Sequence, residues 1–187
     1  MNKIAVMALS GGMDSTGLLL HFLARNYEVH TISYDYGQKH KIELERAKAN
    51  IAYLLENNIK VTQRIVDLQS AMSIFNSALT TEDLEIPEGH YEEEQMKQTV
   101  VPNRNAIFAS ILYGYALSIA TKQDKNVKIG LGVHSGDHEI YPDCRPEFYE
   151  NLEKAFQIGN WESEKVSFYL PYVNGDKEAI LRDAEDS

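Results

Sequence analysis

Leu9-Ser10-Gly11-Gly12-Met13-Asp14-Ser15-Thr16 is the stretch that decides how this chain is read. Before it, Lys3–Leu9 (KIAVMAL) is a short apolar run ended by a glycine pair, the pattern of a buried strand. After it, 14–25 carries Leu18, Leu19, Phe22 and Leu23 at helical spacing. A glycine pair between a strand and a helix lets backbone N–H groups approach an anion, and the helix N-terminus adds orphan donors and its positive dipole end. Ser10 and Ser15 offer hydroxyl donors to phosphate oxygens, and Asp14 is suited to cap the helix. An acid beside a phosphate repels it, so a metal or an adjacent donor is expected to mediate. The chain has no GxxxxGK[ST] run, so this is not a Walker A loop.

Working outward, strand-like and helix-like segments alternate. Strands are expected over 28–34, 60–66, 127–133 and 165–170. Helices are expected over 39–57, with Leu44, Ala47, Ile51, Leu54 and Leu55 on one face; over 104–121, with Ile107, Phe108, Ile111, Leu112, Tyr115 and Ile119; and over 147–158. The alternation predicts an α/β fold, a mostly parallel sheet covered by helices on both faces, as one domain over 1–187. The one compositional break is 76–98, where seven acidic residues surround Pro87 and Gly89; it reads as an acidic surface loop or a flap over a site.

The bulk numbers narrow the function classes. A chain of 187 residues at 43% hydrophobic suits one compact domain with a real core. Its formal net charge of -10 argues against direct nucleic-acid binding. No apolar run approaches the roughly 18 residues a membrane span needs. The apolar start runs into Gly11-Gly12 and Asp14, so it reads as a first strand and not as a leader, and the cytoplasm is the default location. Cys144 is the single cysteine, which allows neither an internal disulfide nor a cysteine-rich zinc site.

Three further segments carry chemistry. Thr99-Val100-Val101-Pro102-Asn103-Arg104-Asn105 opens the 104–121 helix. Arg104 there offers a planar fork for a carboxylate or phosphate, Asn105 can read donor and acceptor edges together, and Asn103 or Asn105 can equally serve as the helix cap. The loop 134–148 follows a strand and so should face the same crevice as the glycine turn. Asp137 or Asp143 can accept hydrogen bonds from a guanine-like edge, and Arg145 can bind a carboxylate or offset charge on a nucleotide. A metal held by His134 and His138 is the lesser reading, because no helix scaffolds that pair. At the end of the second strand, Tyr34 or Tyr36 can stack on a purine-like ring or simply close the sheet edge. Gly130, Gly132 and Gly136 nearly imitate a dinucleotide fingerprint, but the third glycine falls one place late and leads into a Pro-containing loop, so that reading is rejected.

The SGGxDS pattern resembles the PP-loop ATP pyrophosphatases, which split ATP between its α and β phosphates. Taken with YDYGQKH (34–40), TVVPNRNAIF (99–108) and YPDCRPEF (141–148), it is similar to the 7-cyano-7-deazaguanine synthase family over nearly the whole chain. The resemblance implies a Rossmann-like three-layer sandwich of the adenine nucleotide alpha hydrolase-like class. It implies a carbon–nitrogen ligase that adenylates 7-carboxy-7-deazaguanine with ATP and Mg, adds ammonia, and activates the resulting amide again to give the nitrile. It places Leu9, Ser10, Gly11, Gly12, Met13, Asp14, Ser15 and Thr16 on ATP. Tyr36, Gln38, Asn103, Arg104, Asn105, Asp137, Tyr141, Asp143 and Arg145 would hold the deazapurine, with Ser10, Asp14, Ser15, Arg104 and Arg145 as the catalytic set. Asn103 stands where the family usually has Gly, and Asn tolerates positive φ better than most residues. The family also carries a zinc-binding cysteine cluster near its C-terminus; this chain ends at Ser187 with Cys144 alone, so no zinc is expected in it. The alternatives are a variant that stops at the amide, a nucleotide- or deazapurine-binding module without turnover, and a PP-loop enzyme acting on another acceptor. Partners are otherwise small molecules, with a homodimer also expected from the family.

Overall fold

The computed structural model describes residues 3–38, 42–75, 101–138 and 141–187, with backbone alone at Asp137 and His138; the expected acidic flap at 76–98 lies outside them. Five strands form one sheet: β1 (Lys3–Ala8), β2 (Tyr27–Asp35), β3 (Val61–Asp67), β4 (Val127–Gly130) and β5 (Val166–Tyr169). All pair in parallel, in the order β3-β2-β1-β4-β5. The helices are α1 (Met13–Ala24), α2 (Ile42–Glu56), α3 (Gln69–Met72), α4 (Arg104–Gln123), α5 (Ser135–His138), α6 (Pro146–Gly159) and α7 (Lys177–Glu185). Among the described residues no helix is long and apolar enough to cross a membrane.

β1 is the central strand, which is why its sequence is continuously apolar. Ala5, Met7 and Leu9 pack into one core with Leu18, Leu19 and Phe22 of α1 and Ala47, Ile51 and Leu54 of α2. Ile4 and Val6 point the other way, into a core built on Leu112, Tyr113, Ala116 and Ile119 of α4. Helices therefore cover both faces, and the sheet is the middle of three layers. The chain moves from β1 outward through β2 to β3, then returns to the far side of β1 for β4. That reversal lies between β1 and β4, where parallel sheets open a crevice at the carboxyl ends of their strands.

Several boundaries differ from expectation for identifiable reasons. Strand β4 stops at Gly130, not Val133. A Cβ at Gly130 would sit 2.3 Å from the Phe22 ring, so the strand ends pressed against α1 before the chain bends away. In α2, Leu55 falls off the apolar face and is 51% exposed. In α4, the buried stripe runs through Ala109, Leu112, Tyr113, Ala116, Ile119 and Ala120, while Ile107, Phe108, Ile111 and Tyr115 are only partly buried. The alanines let the helix lie close to the sheet and leave no mark in a pattern read from large side chains.

Helix α7 was not anticipated. Asp176 caps it, accepting a hydrogen bond from Ala179 N at 2.9 Å. Ile180, fully buried, fills the space above Gly17 of α1, where an added Cβ would stand 2.5 Å from its Cγ2. Asp183 then binds a polar cluster: its Oδ2 lies 2.6 Å from Nδ1 of buried His21 and accepts from the Tyr172 hydroxyl, and its Oδ1 accepts from Arg25 Nη2 at 3.0 Å. His21 Nε2 meets the Tyr169 hydroxyl at 2.9 Å, which joins α1, α7 and the end of β5.

Burial alone would raise the Asp183 carboxyl, but the hydrogen bonds from Tyr172, His21 and Arg25 outweigh it and hold the carboxyl below the usual carboxylate range. A depressed folded-state pKa stabilises the fold above the unfolded value of about 3.9, and that contribution drains as pH falls through the lower folded value. Asp183→Asn is therefore expected to cost ~1–3 kcal/mol at neutral pH, the worth of hydrogen bonds to a charged group, and to lose its deficit relative to wild type in acid. Denaturant titrations of both proteins from neutral pH to pH 3 check this; a deficit that stays constant with pH would contradict it.

Candidate active site

Leu9 leaves β1 with its N–H still bonded to Ile32 O at 2.8 Å, so the loop that follows starts from a fixed point. Gly11 adopts φ +82°, and a Cβ there would lie 2.5 Å from Ala47 N and 2.7 Å from Glu43 O. Only glycine permits both that conformation and that approach to the backbone of α2. Gly12 takes the N-cap position of α1. This corrects the expectation that Asp14 caps the helix: Asp14 sits inside the first turn, where the dipole favours a carboxylate.

The two serines brace the loop. Ser10 Oγ accepts from Gly12 N at 3.2 Å and lies 3.1 Å from Ser15 Oγ. Ser15 Oγ accepts from Ser10 N at 3.3 Å and donates to Gly12 O at 3.2 Å. Thr16 Oγ1 accepts from Asn50 Nδ2 at 3.0 Å, tying α1 to α2. Leu9 is buried in the core, whereas the Met13 side chain is exposed. The helix geometry leaves the first-turn N–H groups without intrahelical partners, so the loop presents donors to the crevice.

A cavity of about 260 Å³ opens beside this loop, with Ser10, Tyr36, Gln38, Glu43, Arg104 and Asn105 in its wall. Tyr34 is stacked on Phe108 at 4.0 Å between ring centroids and donates its hydroxyl to Phe108 O at 2.9 Å. The stacked pair also lines the cavity, with the Tyr34 hydroxyl already engaged. Tyr36 lines the cavity beside them: Arg104 lies 5.8 Å from its ring centroid and donates from Nη1 to its hydroxyl at 3.4 Å. Burial pushes the Tyr36 hydroxyl pKa up, more than the neighbouring Arg104 charge pulls it down. Gln38 lines the cavity, but its amide is engaged with its own turn, accepting from Tyr36 N at 2.9 Å and donating to Tyr34 O at 3.2 Å.

Asn103 has φ 59° at the N-cap of α4, as a residue tolerant of positive φ should. Its side chain makes no cap bond and is exposed. The next residues turn inward. Among the described residues no carboxylate forms an ion pair with Arg104. Asn105 Nδ2 reaches Cys144 Sγ at 3.6 Å, joining the cavity wall to the turn Pro142–Cys144. Through that contact the Tyr141–Arg145 segment sits at the same end of the sheet as the glycine loop. Tyr141 and Asp143 are half-buried and Arg145 is exposed, and none of the three is among the described residues lining the cavity. The Asp137 side chain lies outside the described residues.

Past β4 the chain crosses the start of α1. A Cβ at Gly132 would stand 3.3 Å from Asp14 O. His134, 3% exposed, accepts from Gly136 N on Nδ1 at 3.1 Å and places Nε2 3.7 Å from Asp14 Oδ2. Asp14 Oδ1 is buried with no hydrogen-bond partner among the described residues. The pairing of His134 with Asp14 and the place of Glu43 in the cavity wall were both missed in the sequence. The signal for His134 was its position just past a strand end at the switch point; for Glu43 it was the first turn of the helix after β2. Among the described residues no group of three or more His, Cys, Asp or Glu side chains gathers as a metal cluster.

A parallel sheet of this order with a Ser-Gly-Gly loop at its switch point matches the PP-loop, adenine nucleotide alpha hydrolase-like class expected from the sequence. Two solved structures share the fold. One is described as a "predicted subunit of tRNA methyltransferase" from Methanocaldococcus jannaschii (TM-score 0.56, 14% identity, 98% of this chain and 74% of that one). The other is a 4-thiouridine synthetase in complex with RNA and bound ATP (TM-score 0.51, 16% identity, 98% of this chain and 40% of that one). The family model for queuosine biosynthesis protein QueC matches residues 4–187, and the chain belongs to that family. Two relatives are each named 7-cyano-7-deazaguanine synthase. The protein from Pseudoalteromonas translucida is 40% identical over 183 residues (98% of this chain, 78% of the relative). That from Caldicellulosiruptor bescii is 46% identical over 178 residues (95% and 75%).

The two glycines of the loop should respond differently to the same change. Gly11→Ala forces a side chain into left-handed backbone and onto α2 and is expected to cost about 2–5 kcal/mol. Gly12 has ordinary φ, and an added Cβ meets only Ser10 Oγ at 3.3 Å; Gly12→Ala should cost about 1 kcal/mol or less. Thermal unfolding of the two variants measures the difference, and equal losses would contradict the close approach described.

Proposed function

We propose that this chain is a 7-cyano-7-deazaguanine synthase that converts 7-carboxy-7-deazaguanine and ammonia to the nitrile at the expense of ATP. One observation carries the reading beyond the names of its relatives: Arg104, without a carboxylate partner among the described residues, shares a cavity wall with Ser10 of the phosphate loop. A guanidinium fork suits a substrate carboxylate, and the loop suits the phosphates that must meet it.

In the first half-reaction a carboxylate oxygen attacks the α-phosphorus of ATP and pyrophosphate departs. Ammonia then adds to the acyl carbon, and AMP leaves with its oxygen to give the amide. In the second, the amide oxygen attacks a second ATP and pyrophosphate leaves. Loss of AMP and the remaining N–H protons then yields the carbon–nitrogen triple bond. The residues supply position and charge balance. The N–H groups of the Gly11–Ser15 turn receive phosphate oxygens, Ser10 and Ser15 hold that turn in shape, and Arg104 orients the carboxylate. Asn105 links the cavity to the Tyr141–Arg145 segment, whose Asp143 and Arg145, with Asp137, are proposed to face the base. Tyr36 offers its ring to the deazapurine.

A magnesium ion suits this site, because such an ion takes one or two carboxylates together with substrate phosphates. Asp14, with its buried unpaired Oδ1, is the residue that would hold it. When bound, the ion would offset phosphate charge.

Incubation with ATP, Mg, ammonium and 7-carboxy-7-deazaguanine is expected to give the nitrile with two AMP per product, read by mass spectrometry. Accumulation of the amide alone would limit the chain to the first half-reaction. Release of ADP, or nucleotide consumption independent of the carboxylate, would contradict the proposal. Arg104→Ala should lower kcat/KM for the carboxylate substrate by roughly 10- to 150-fold, equivalent to ~1.5–3 kcal/mol for a hydrogen bond to a charged group.

A further inference from the structure

We propose that His134 is a positioning residue for Asp14, fixing which carboxylate oxygen is left to serve the cation of a bound nucleotide. The inference rests on the ATP-dependent reading above and adds a residue to it. The ring's orientation decides its role. His134 Nδ1 accepts the Gly136 N–H at 3.1 Å, so the neutral imidazole carries its proton on Nε2. That nitrogen points at the phosphate loop, 3.7 Å from Asp14 Oδ2. The ring cannot easily turn away. It is 3% exposed, and the next residue pins the loop: Ser135 N and Oγ both donate to Gly175 O, at 2.9 and 2.7 Å.

Asp14 needs such a neighbour. It stands in the first turn of α1, in the loop proposed to receive phosphates, where a second negative charge would push its side chain aside. A fixed N–H facing Oδ2 holds the carboxylate in one rotamer and leaves Oδ1, buried and without a hydrogen-bond partner among the described residues, as the ligand oxygen. The 3.7 Å gap is longer than a hydrogen bond and closes by a small rotation of Asp14 when charge arrives; hydrogen bonds at such sites commonly tighten only in the loaded complex. Partners that orient a ligand in this way are typically worth about 10- to 100-fold in metal affinity or activity.

The test separates the ring's bond to Gly136 N from its approach to Asp14. In His134→Asn the amide oxygen can still accept from Gly136 N but nothing reaches Asp14; in His134→Gln the longer amide can present N–H near the place of Nε2. ATP affinity is measured by calorimetry with and without Mg, alongside thermal unfolding. His134→Asn is expected to melt within a few degrees of wild type and to bind ATP normally without Mg. It should need roughly 10- to 100-fold more Mg to reach the same affinity, and His134→Gln should recover much of that loss. In an Asp14→Asn background, His134→Asn should change the Mg requirement no further. An unchanged Mg requirement in His134→Asn, an equal loss with and without Mg, or additive effects in the double variant would overturn the positioning role alone. Failure of the wild-type chain to bind ATP with Mg would instead overturn the ATP-dependent reading on which it rests.

Discussion

The contact on which the site depends is the approach of Gly11 to α2. The loop after β1 must turn back at once into α1 and still leave its amides facing the crevice. It does so by pressing backbone on backbone, with the Gly11 Cα closer to Ala47 and Glu43 than any side chain would allow. That contact fixes where α2 sits relative to α1, and α2 in turn contributes Glu43 and Leu44 to the cavity. The serines on either side hold the bend through four mutual hydrogen bonds with its backbone and each other.

The loop is supported from two other directions. Across the switch point, Gly132 lies against the Asp14 backbone and His134 faces its carboxylate, so the chain leaving β4 closes over the start of α1. Further along α1, Gly17 admits Ile180 and His21 joins Asp183, so α7 clamps the same helix along its length. A helix whose first turn is proposed to receive phosphates is thereby held by apolar contact and by a satisfied polar cluster, both away from the site. Burial drives the Tyr172 hydroxyl pKa up, with its bond to Asp183 adding to the effect, so Tyr172 remains a donor to that carboxylate.

Much of the fold was legible because β1 and its turn leave little choice: a fully apolar strand, two glycines and a helical stripe admit only a buried parallel strand feeding a helix. The five strands and the long helices followed from the same alternation. What was lost is equally physical. The buried face of α4 is marked by alanines, which are silent in a pattern of large side chains. Helix α7 is short and carries a single fully buried side chain, Ile180, so its one plain sign was the cap at Asp176. In the site, Ser10, Arg104, Asn105 and Tyr36 come together as their motifs suggested. Tyr34 lines the same cavity but is stacked on Phe108, a pairing between β2 and α4 that no local pattern reveals. Gln38 lines the cavity yet is bound to its own turn, and His134 acquires its meaning only when β4 is seen beside β1.

The loop at the switch point is proposed as the place where a nucleotide's phosphates lie beside the Arg104 cavity. A crystal structure with an ATP analogue that cannot be cleaved between its α and β phosphates tests this directly. Phosphate oxygens within hydrogen-bond reach of the amides between Gly11 and Ser15, with the α-phosphate open toward Arg104, are the expected result. Phosphates bound at another edge of the sheet, or turned away from that cavity, would contradict it.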